Sequence, residues 1–302
     1  MFEGFATRRI ATTGCPEGIH LRLGGATNGP PLLLLHGYPE TGACWHKVAP
    51  LLADRFSLVV PDLRGYGRSG KPEPGERCEA YTKRALALDM VEAMAALGHA
   101  RFAVAGHDRG ARVAHRLALD HPQAVTRLCT MDIVPTLHRF ENLNTNAALG
   151  AYHWFFLAQP GGLPERLIGA EPEFFLRHTL RSWFGPGAEA APEAMAEYLR
   201  CFLAPGTIRA TCAEYRAGAT LDLEHDRASR AAGQRVACPL HVLWGGGSNQ
   251  GSGGGLLEIW RGYAAGPLTG RGLACGHFLP EERSEEVAAE LLAFLDGLGE
   301  GR

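Results

Sequence analysis

The residues best suited to covalent chemistry lie together in Ala105-Gly106-His107-Asp108-Arg109-Gly110-Ala111. They follow the apolar run Phe102–Ala105 and precede a helical pattern with Val113, Ala114 and Leu117 on one side. Strand, sharp turn and helix, with small residues two positions either side of a central side chain, form a nucleophile elbow. Gly106 and Gly110 let strand and helix close tightly, which pushes the central side chain out over the sheet edge. That side chain is Asp108, not a serine. A carboxylate nucleophile attacks an sp³ carbon and forms an ester that water must then hydrolyse. An Asp at this position could also simply cap the following helix, so the surrounding constellation decides.

Three further segments fit the elbow. His36-Gly37-Tyr38-Pro39 ends an early apolar strand, where the second N–H of an oxyanion hole would come from. Pro61–Ser69 (PDLRGYGRS) ends the next strand. Gly276-His277-Phe278 precedes the last helix, the place expected for a general base. The chain has 13 histidines, so position rather than type singles out His277. In elbow hydrolases the nucleophile comes first, the acid second and the histidine last.

Taken together, HGYP, DLRGYGRSG, GHDRGAR, YHW and GHFLPEE resemble the fluoroacetate (haloacetate) dehalogenases of the α/β-hydrolase superfamily, over nearly the whole chain. HGxP with GxDxG alone also fits haloalkane dehalogenases and epoxide hydrolases. Relatives with neutral substrates commonly carry Trp after the nucleophile, whereas here Arg109 follows it, with Arg112 three positions on. As the helix begins, that spacing lets both face the mouth of the elbow. Two guanidinium groups can hold a carboxylate by forked hydrogen bonds and offset its repulsion from Asp108.

Many relatives place the triad acid after the strand equivalent to LHVLWG, but here Gly245, Gly246, Gly247, Ser248 and Asn249 follow, none a carboxylate. Asp132, after RLCTM, is the alternative. It would fix the tautomer of His277 and stabilise the imidazolium form. The resemblance also implies halide donors on an inserted lid: His153 and Trp154 in AYHWFF, and Tyr215 in CAEYRAGA, with Trp183 as a pocket wall. Imidazole N–H, indole N–H and phenol O–H are all donors, and a poor leaving group such as fluoride needs several of them in a dry pocket.

The elements that must position these residues follow from the apolar pattern. Pro31–Leu35, Phe56–Val60, Phe102–Ala105, Val125–Met131 and Leu240–Trp244 read as strands buried on both faces. Helical patterns lie between them: Met90, Met94 and Leu97 recur at i, i+4 and i+7, and a last helix is expected at Glu285–Leu295. This alternation predicts an α/β-hydrolase fold, a mostly parallel sheet flanked by helices. Between about Thr136 and Val236 the rhythm gives way to aromatics, helix formers and Pro/Gly breaks. The expected organisation is therefore a core of 1–135 and 237–302 with a helical cap at 136–236. The segment GGGSNQGSGGG (245–255) reads as a flexible loop.

Composition sets the outer bounds. The chain has 302 residues, with 46% hydrophobic and 21% charged, enough for a sizeable core. A formal net charge of −2 points to neither nucleic acid nor an anionic membrane as partner. MFEGFATRRI lacks the pattern of a secretory signal, and no apolar stretch reaches transmembrane length. Eight scattered cysteines without a CxxC pair read as reduced thiols of a cytoplasmic protein. No HExxH or similar metal signature is present, and the ester chemistry requires neither metal nor organic cofactor. The expected activity is hydrolytic dehalogenation of small 2-halo acids. Its rivals are an epoxide hydrolase with the same triad, using lid tyrosines Tyr152, Tyr198 or Tyr215, and a ligand-binding relative. The resemblance implies a homodimer.

Overall fold

All five apolar runs form strands in the computed structural model, which describes residues 1–248 and 255–296. They are β3 (Pro31–Leu35), β4 (Ser57–Pro61), β5 (Phe102–His107), β6 (Val125–Met131) and β7 (Leu240–Gly245). Leu32 to Leu35 are at most 1% exposed, because helices cover both faces of the sheet. Three strands lie outside the sequence expectation: β1 (Ala6–Thr12), β2 (Cys15–Gly25) and β8 (Leu268–Leu273). β1 and β8 are the edges of the sheet, and their charged and glycine-containing segments ATRRIAT and LTGRGL are largely exposed. Edge strands covered on one side need no continuous apolar run.

The strand order is β1-β2-β4-β3-β5-β6-β7-β8. β1, β2 and β4 pair antiparallel, and pairing from β4 through β8 is parallel. The carboxyl ends of β3, β5 and β6 therefore lie side by side, with Leu35 opposite Gly106 and His107 opposite Met131. In an open parallel sheet the crevice outside these ends is where ligands bind.

The core helices are α1 (Val48–Leu52), α2 (Lys83–Ala96) and α3 (Asp108–Asp120). α2 buries Leu86, Met90 and Met94, one stripe at four-residue spacing. Between β6 and β7 comes an all-helical insertion, the cap. It consists of α4 (Thr136–Glu141), α5 (Thr145–Gly150), α6 (Tyr152–Leu157), α7 (Leu163–Ala170), α8 (Pro172–Trp183), α9 (Pro192–Phe202), α10 (Thr207–Ala219) and α11 (Leu221–Ala231). α12 (Leu256–Arg261), α13 (Leu279–Glu282) and α14 (Ser284–Leu295) complete the core. Of the glycine-rich segment, Gly245 ends β7, 246–248 form a turn, and 249–254 lie outside the described residues. Among the described residues no helix is long and apolar enough to cross a membrane, and no group of three or more His, Cys, Asp or Glu could hold a metal ion. All eight cysteines are free.

Candidate active site

Asp108 sits where β5 turns into α3, with φ +46°, a left-handed conformation uncommon for a non-glycine residue. The tight turn depends on its small neighbours. A Cβ on Gly106 would lie 2.7 Å from Ala111 Cα, and one on Gly110 would lie 2.6 Å from Leu35 O. The strain is held by the surrounding sheet and helix, as is usual at functional turns. Asp108 Oδ1 accepts a hydrogen bond from the Tyr38 N–H at 3.0 Å, so the strand end at HGYP reaches directly over the elbow. Burial alone would raise the Asp108 pKa. The nearby His277, His107 and Arg109 and the Tyr38 N–H outweigh it and hold the carboxyl well below its usual range. Asp108 is therefore an anion at neutral pH, at the positive end of α3.

His277 Nε2 stands 3.7 Å from Asp108 Oδ2, too far for a direct hydrogen bond. Its Nδ1 is 2.5 Å from Asp132 Oδ2, which makes Nδ1 the protonated nitrogen and leaves Nε2 to face Asp108 as a base. Asp132 is itself in a left-handed conformation (φ +55°). Its other oxygen accepts from the Gly245 N–H at 2.9 Å and the Ser248 hydroxyl at 2.7 Å, so the end of β7 and the turn after it supply donors to this carboxylate. The His277 loop is pinned on several sides. The Glu282 carboxylate accepts from the N–H groups of Gly185, Gly276 and Phe278 at 3.0, 2.9 and 3.0 Å. His277 donates its own N–H to Trp183 O at 2.9 Å, and its carbonyl lies 2.7 Å from His107 Nε2. The other nitrogen of His107 meets Glu40 at 3.1 Å. Burial opposes a charge on this imidazole, but Glu40 and Asp108 overcome it and raise His107 to about 9.

The two arginines lie deeper than the mouth of the elbow, at 1% and 3% exposure. Arg109 is turned toward α10, donating from Nε to Glu214 Oε1 (3.0 Å) and from Nη2 to Glu214 O (3.2 Å). Its guanidinium covers the Tyr215 ring at 4.1 Å. Glu214 also receives Lys83 Nζ at 2.6 Å and the Tyr66 hydroxyl, and Lys83 meets Asp222 at 3.5 Å. Arg112 differs. Its Nη1 donates to two neutral oxygens, Val134 O at 2.9 Å and Thr136 Oγ1 at 3.0 Å, and its Nε is buried without a partner. Among the described residues it has no carboxylate partner. Burial, followed by repulsion from Arg109, pushes it down to about 9.

On the cap side, α6 brings His153 and Trp154, α8 ends at Trp183 and α10 brings Tyr215. The rings form one cluster: His153 lies 4.4 Å from Trp183 and 5.8 Å from Tyr215, and Tyr38 lies 5.2 Å from Tyr215. Burial, with His277 and Arg109 nearby, lowers His153 to about 3, so its imidazole is neutral. His153 Nδ1, Tyr215 OH and Tyr38 OH are buried without a hydrogen-bond partner. A cavity of about 130 Å³ is lined by Asp108, Asp132, His277, His153, Trp154 and Trp183, among others. Arg109, Arg112 and Tyr215 are not in that lining. Both arginines cover the Trp154 ring, at 5.5 and 4.4 Å.

Several participants escape a reading of the sequence. Glu214 adjoins Tyr215 in CAEYRAGA, and only its complete burial between two cations marks it. Ser248 sits in a low-complexity run, and Arg139 of α4 lines the cavity from a segment with no motif. The DLRGYGRSG motif has a structural use. Asp62 receives Arg22 at 3.0 Å, His20 at 3.2 Å and the N–H groups of Gly42 and Arg68, each at 2.9 Å.

Comparison with known proteins agrees with this geometry. A family model described as the α/β-hydrolase fold matches residues 30–258. The chain is 40% identical over 302 residues to a fluoroacetate dehalogenase of Burkholderia sp, spanning 100% of this chain and 97% of that one. It is 34% identical over 285 residues to a soluble epoxide hydrolase of Corynebacterium sp. (strain C12), spanning 92% and 94%. The crystal structure of a protein described as an α/β hydrolase, from Nostoc sp PCC 7120, superposes with a TM-score of 0.94 at 48% identity, covering 98% of this chain and 100% of that one.

Proposed function

The chain belongs to the α/β-hydrolase family, and from that premise we propose that it hydrolyses the carbon–halogen bond of small 2-halo acids such as fluoro-, chloro- and bromoacetate. The observation that carries this reading is Arg112, a buried guanidinium with no anionic partner among the described residues, one turn from an ionised Asp108. Burying a cation without a counter-charge costs several kcal/mol, and a substrate carboxylate removes that cost. The Burkholderia relative, a fluoroacetate dehalogenase, supports the same substrate class.

In this reading the substrate carboxylate docks on the unused edges of Arg112 and Arg109. Asp108 Oδ2, the oxygen not held by Tyr38, attacks the α-carbon in line as the carbon–halogen bond breaks. The halide leaves with the bonding pair toward the N–H and O–H donors of His153, Trp154 and Tyr215. This produces an ester whose carbonyl oxygen is Oδ1. A water hydrogen-bonded to His277 Nε2, which faces Asp108 across 3.7 Å, gives that nitrogen a proton and attacks the ester carbonyl. The N–H groups of Tyr38 and Arg109 hold the oxyanion, and Asp132 stabilises the imidazolium. Collapse releases the 2-hydroxy acid and restores Asp108, and His277 gives up its proton.

Epoxide hydrolysis would use the same triad but needs cap hydroxyls to protonate the opening oxygen. Tyr198 is bonded to Glu281 at 2.5 Å and Tyr152 is 46% exposed, which leaves Tyr215 of the three candidates beside the ring cluster. A mere binding role fits poorly with an aligned triad. The experiment supplies the purified protein with the three haloacetates and with a neutral epoxide, detecting halide by ion-selective electrode and diol by chromatography. We expect many halides per enzyme and no diol; diol formation without halide release would overturn the assignment. The family resemblance leads us further to propose a cytoplasmic homodimer with 136–236 as its cap, which sedimentation velocity tests.

A further inference from the structure

Among the described residues one cation beside the Asp108 cavity has no ion pair. Arg109 and Lys83 are matched by Glu214 and Asp222, at 3.0 Å for Arg109–Glu214 and 2.6 and 3.5 Å for Lys83 with the two carboxylates. Asp132 is held by hydrogen bonds from His277 Nδ1 at 2.5 Å, the Gly245 N–H at 2.9 Å and the Ser248 hydroxyl at 2.7 Å. Arg112 is the counter-charge of the substrate carboxylate in the function proposed above. That leaves Arg139 on α4. Among the described residues its side chain has no ion pair, and its Nε is buried without a hydrogen-bond partner. Burial lowers its pKa, opposed by the charge of Asp132, and Arg139 in turn depresses Arg112 and His153. It therefore lies within electrostatic reach of the triad and of the cap donors. It also lines the same cavity as Asp108 and His277. Asp108 is buried in that cavity, whereas Ser182 and Pro186 of its lining are exposed, so the cavity connects the nucleophile to solvent.

The proposed reaction sends anions through this passage in both directions. Alkylation moves one negative charge from the Asp108 carboxylate onto the halide, while the substrate carboxylate keeps its own. The halide and then the hydroxy acid must leave by a path that the next haloacid enters. A partly desolvated guanidinium with no protein anion is a standing attraction for such ions. We propose that Arg139 is an anion-binding station of the access channel, drawing the haloacid anion toward Asp108 and taking up the halide as it departs. The halide-binding half stands on geometry alone, and the substrate half rests on the proposed function.

Bromide titration of the resting protein tests it, because Trp154 and Trp183 line the cavity and a bound heavy halide quenches their fluorescence. Wild type should quench saturably, Arg139→Gln should weaken the bromide affinity about tenfold, and Arg139→Lys should retain most of it. With chloroacetate, Arg139→Gln should lose about tenfold in kcat/KM with kcat nearly unchanged. Its plot of log kcat/KM against ionic strength should be flatter. A purely structural role would not move that slope. Equal bromide affinity in wild type and Arg139→Gln, or quenching that never saturates in any of the three proteins, would overturn the inference. Saturable binding that depends on Arg139, in a protein that releases halide from no haloacid, would uphold this station and sink the proposed function.

Discussion

Glu214→Gln removes the single carboxylate lodged between Arg109 and Lys83 while keeping the shape of the side chain. Burial opposes the charge on Glu214, but Arg109, Lys83 and the Tyr66 hydroxyl bring its pKa down to about 2 from an ordinary 4.5. That displacement corresponds to roughly 3 kcal/mol in favour of the ionised form. Removing one partner of a buried ion pair costs about 3–5 kcal/mol, because the other charge is left uncompensated. Here two cations are left with Asp222 alone, a surplus of one, and Arg109 also loses the anchor at Nε that turns it toward α10. We therefore expect a loss of about 3–5 kcal/mol in urea unfolding followed by circular dichroism, and a Tm lower by about 10 °C. Lys83→Met in the same protein removes the surplus cation and leaves Arg109 with Asp222, so the double variant should recover about 1 kcal/mol relative to additivity. A depressed carboxylate stabilises the fold fully above pH 4.5 and loses that contribution as pH falls from 4.5 toward about 2. Wild type should thus lose stability more steeply than Glu214→Gln over that interval. A Glu214→Gln protein within about 0.5 kcal/mol of wild type, with the same acid slope, would refute the view that this carboxylate organises the arginine.

Arg112→Leu should lower kcat/KM for haloacetates by about a hundredfold or more, the cost of losing one side of a buried charge pair; wild-type-like kinetics would remove the carboxylate clamp. His153→Ala and Trp154→Phe should each cost more with fluoroacetate than with bromoacetate, because bromide needs less help to leave, and equal losses across the halides would reassign both to cap packing. His107, raised to about 9 through Glu40 against the pull of burial, stabilises the fold fully below about pH 6.5 and loses that contribution as pH rises through about 9. On the order of 3 kcal/mol should disappear over that range in wild type and not in His107→Gln, measured by denaturant unfolding at each pH.

The parts of the site legible in the sequence are those set by local spacing. Gly106, Asp108 and Gly110 follow an apolar run, so the turn and its exposed side chain can be read without knowing the rest of the chain. The lack of a carboxylate after β7 leaves Asp132, and the hydrogen bonds of Gly245 and Ser248 to its Oδ1 show how a glycine-rich turn serves that arrangement. Glu214 is illegible because its meaning comes from Lys83 and Arg109, more than a hundred residues away and on other helices. The depth of Arg109 is illegible for the same reason: helical spacing puts it near the elbow, but the carboxylate that turns it away belongs to α10. β1 and β8 carry no continuous apolar run, since much of their surface faces solvent, and in β2 the buried His20 and Arg22, both on Asp62, interrupt the apolar residues.

In the proposed mechanism Asp108 forms a covalent ester that only His277-assisted water removes. His277→Ala tests it directly, since the base serves hydrolysis and not the first displacement. Incubated with a haloacetate and digested, this variant should show a carboxymethyl group's added mass on the peptide containing Asp108, with at most about one halide released per active site. The matching wild-type measurement is a single turnover in oxygen-18 water, where label should enter the Asp108 carboxylate because the oxygen joined to the product's α-carbon comes from Asp108. An unmodified Asp108 peptide in His277→Ala, together with labelled product and unlabelled Asp108 in wild type, would mean that water attacks the substrate directly and that Asp108 is a base.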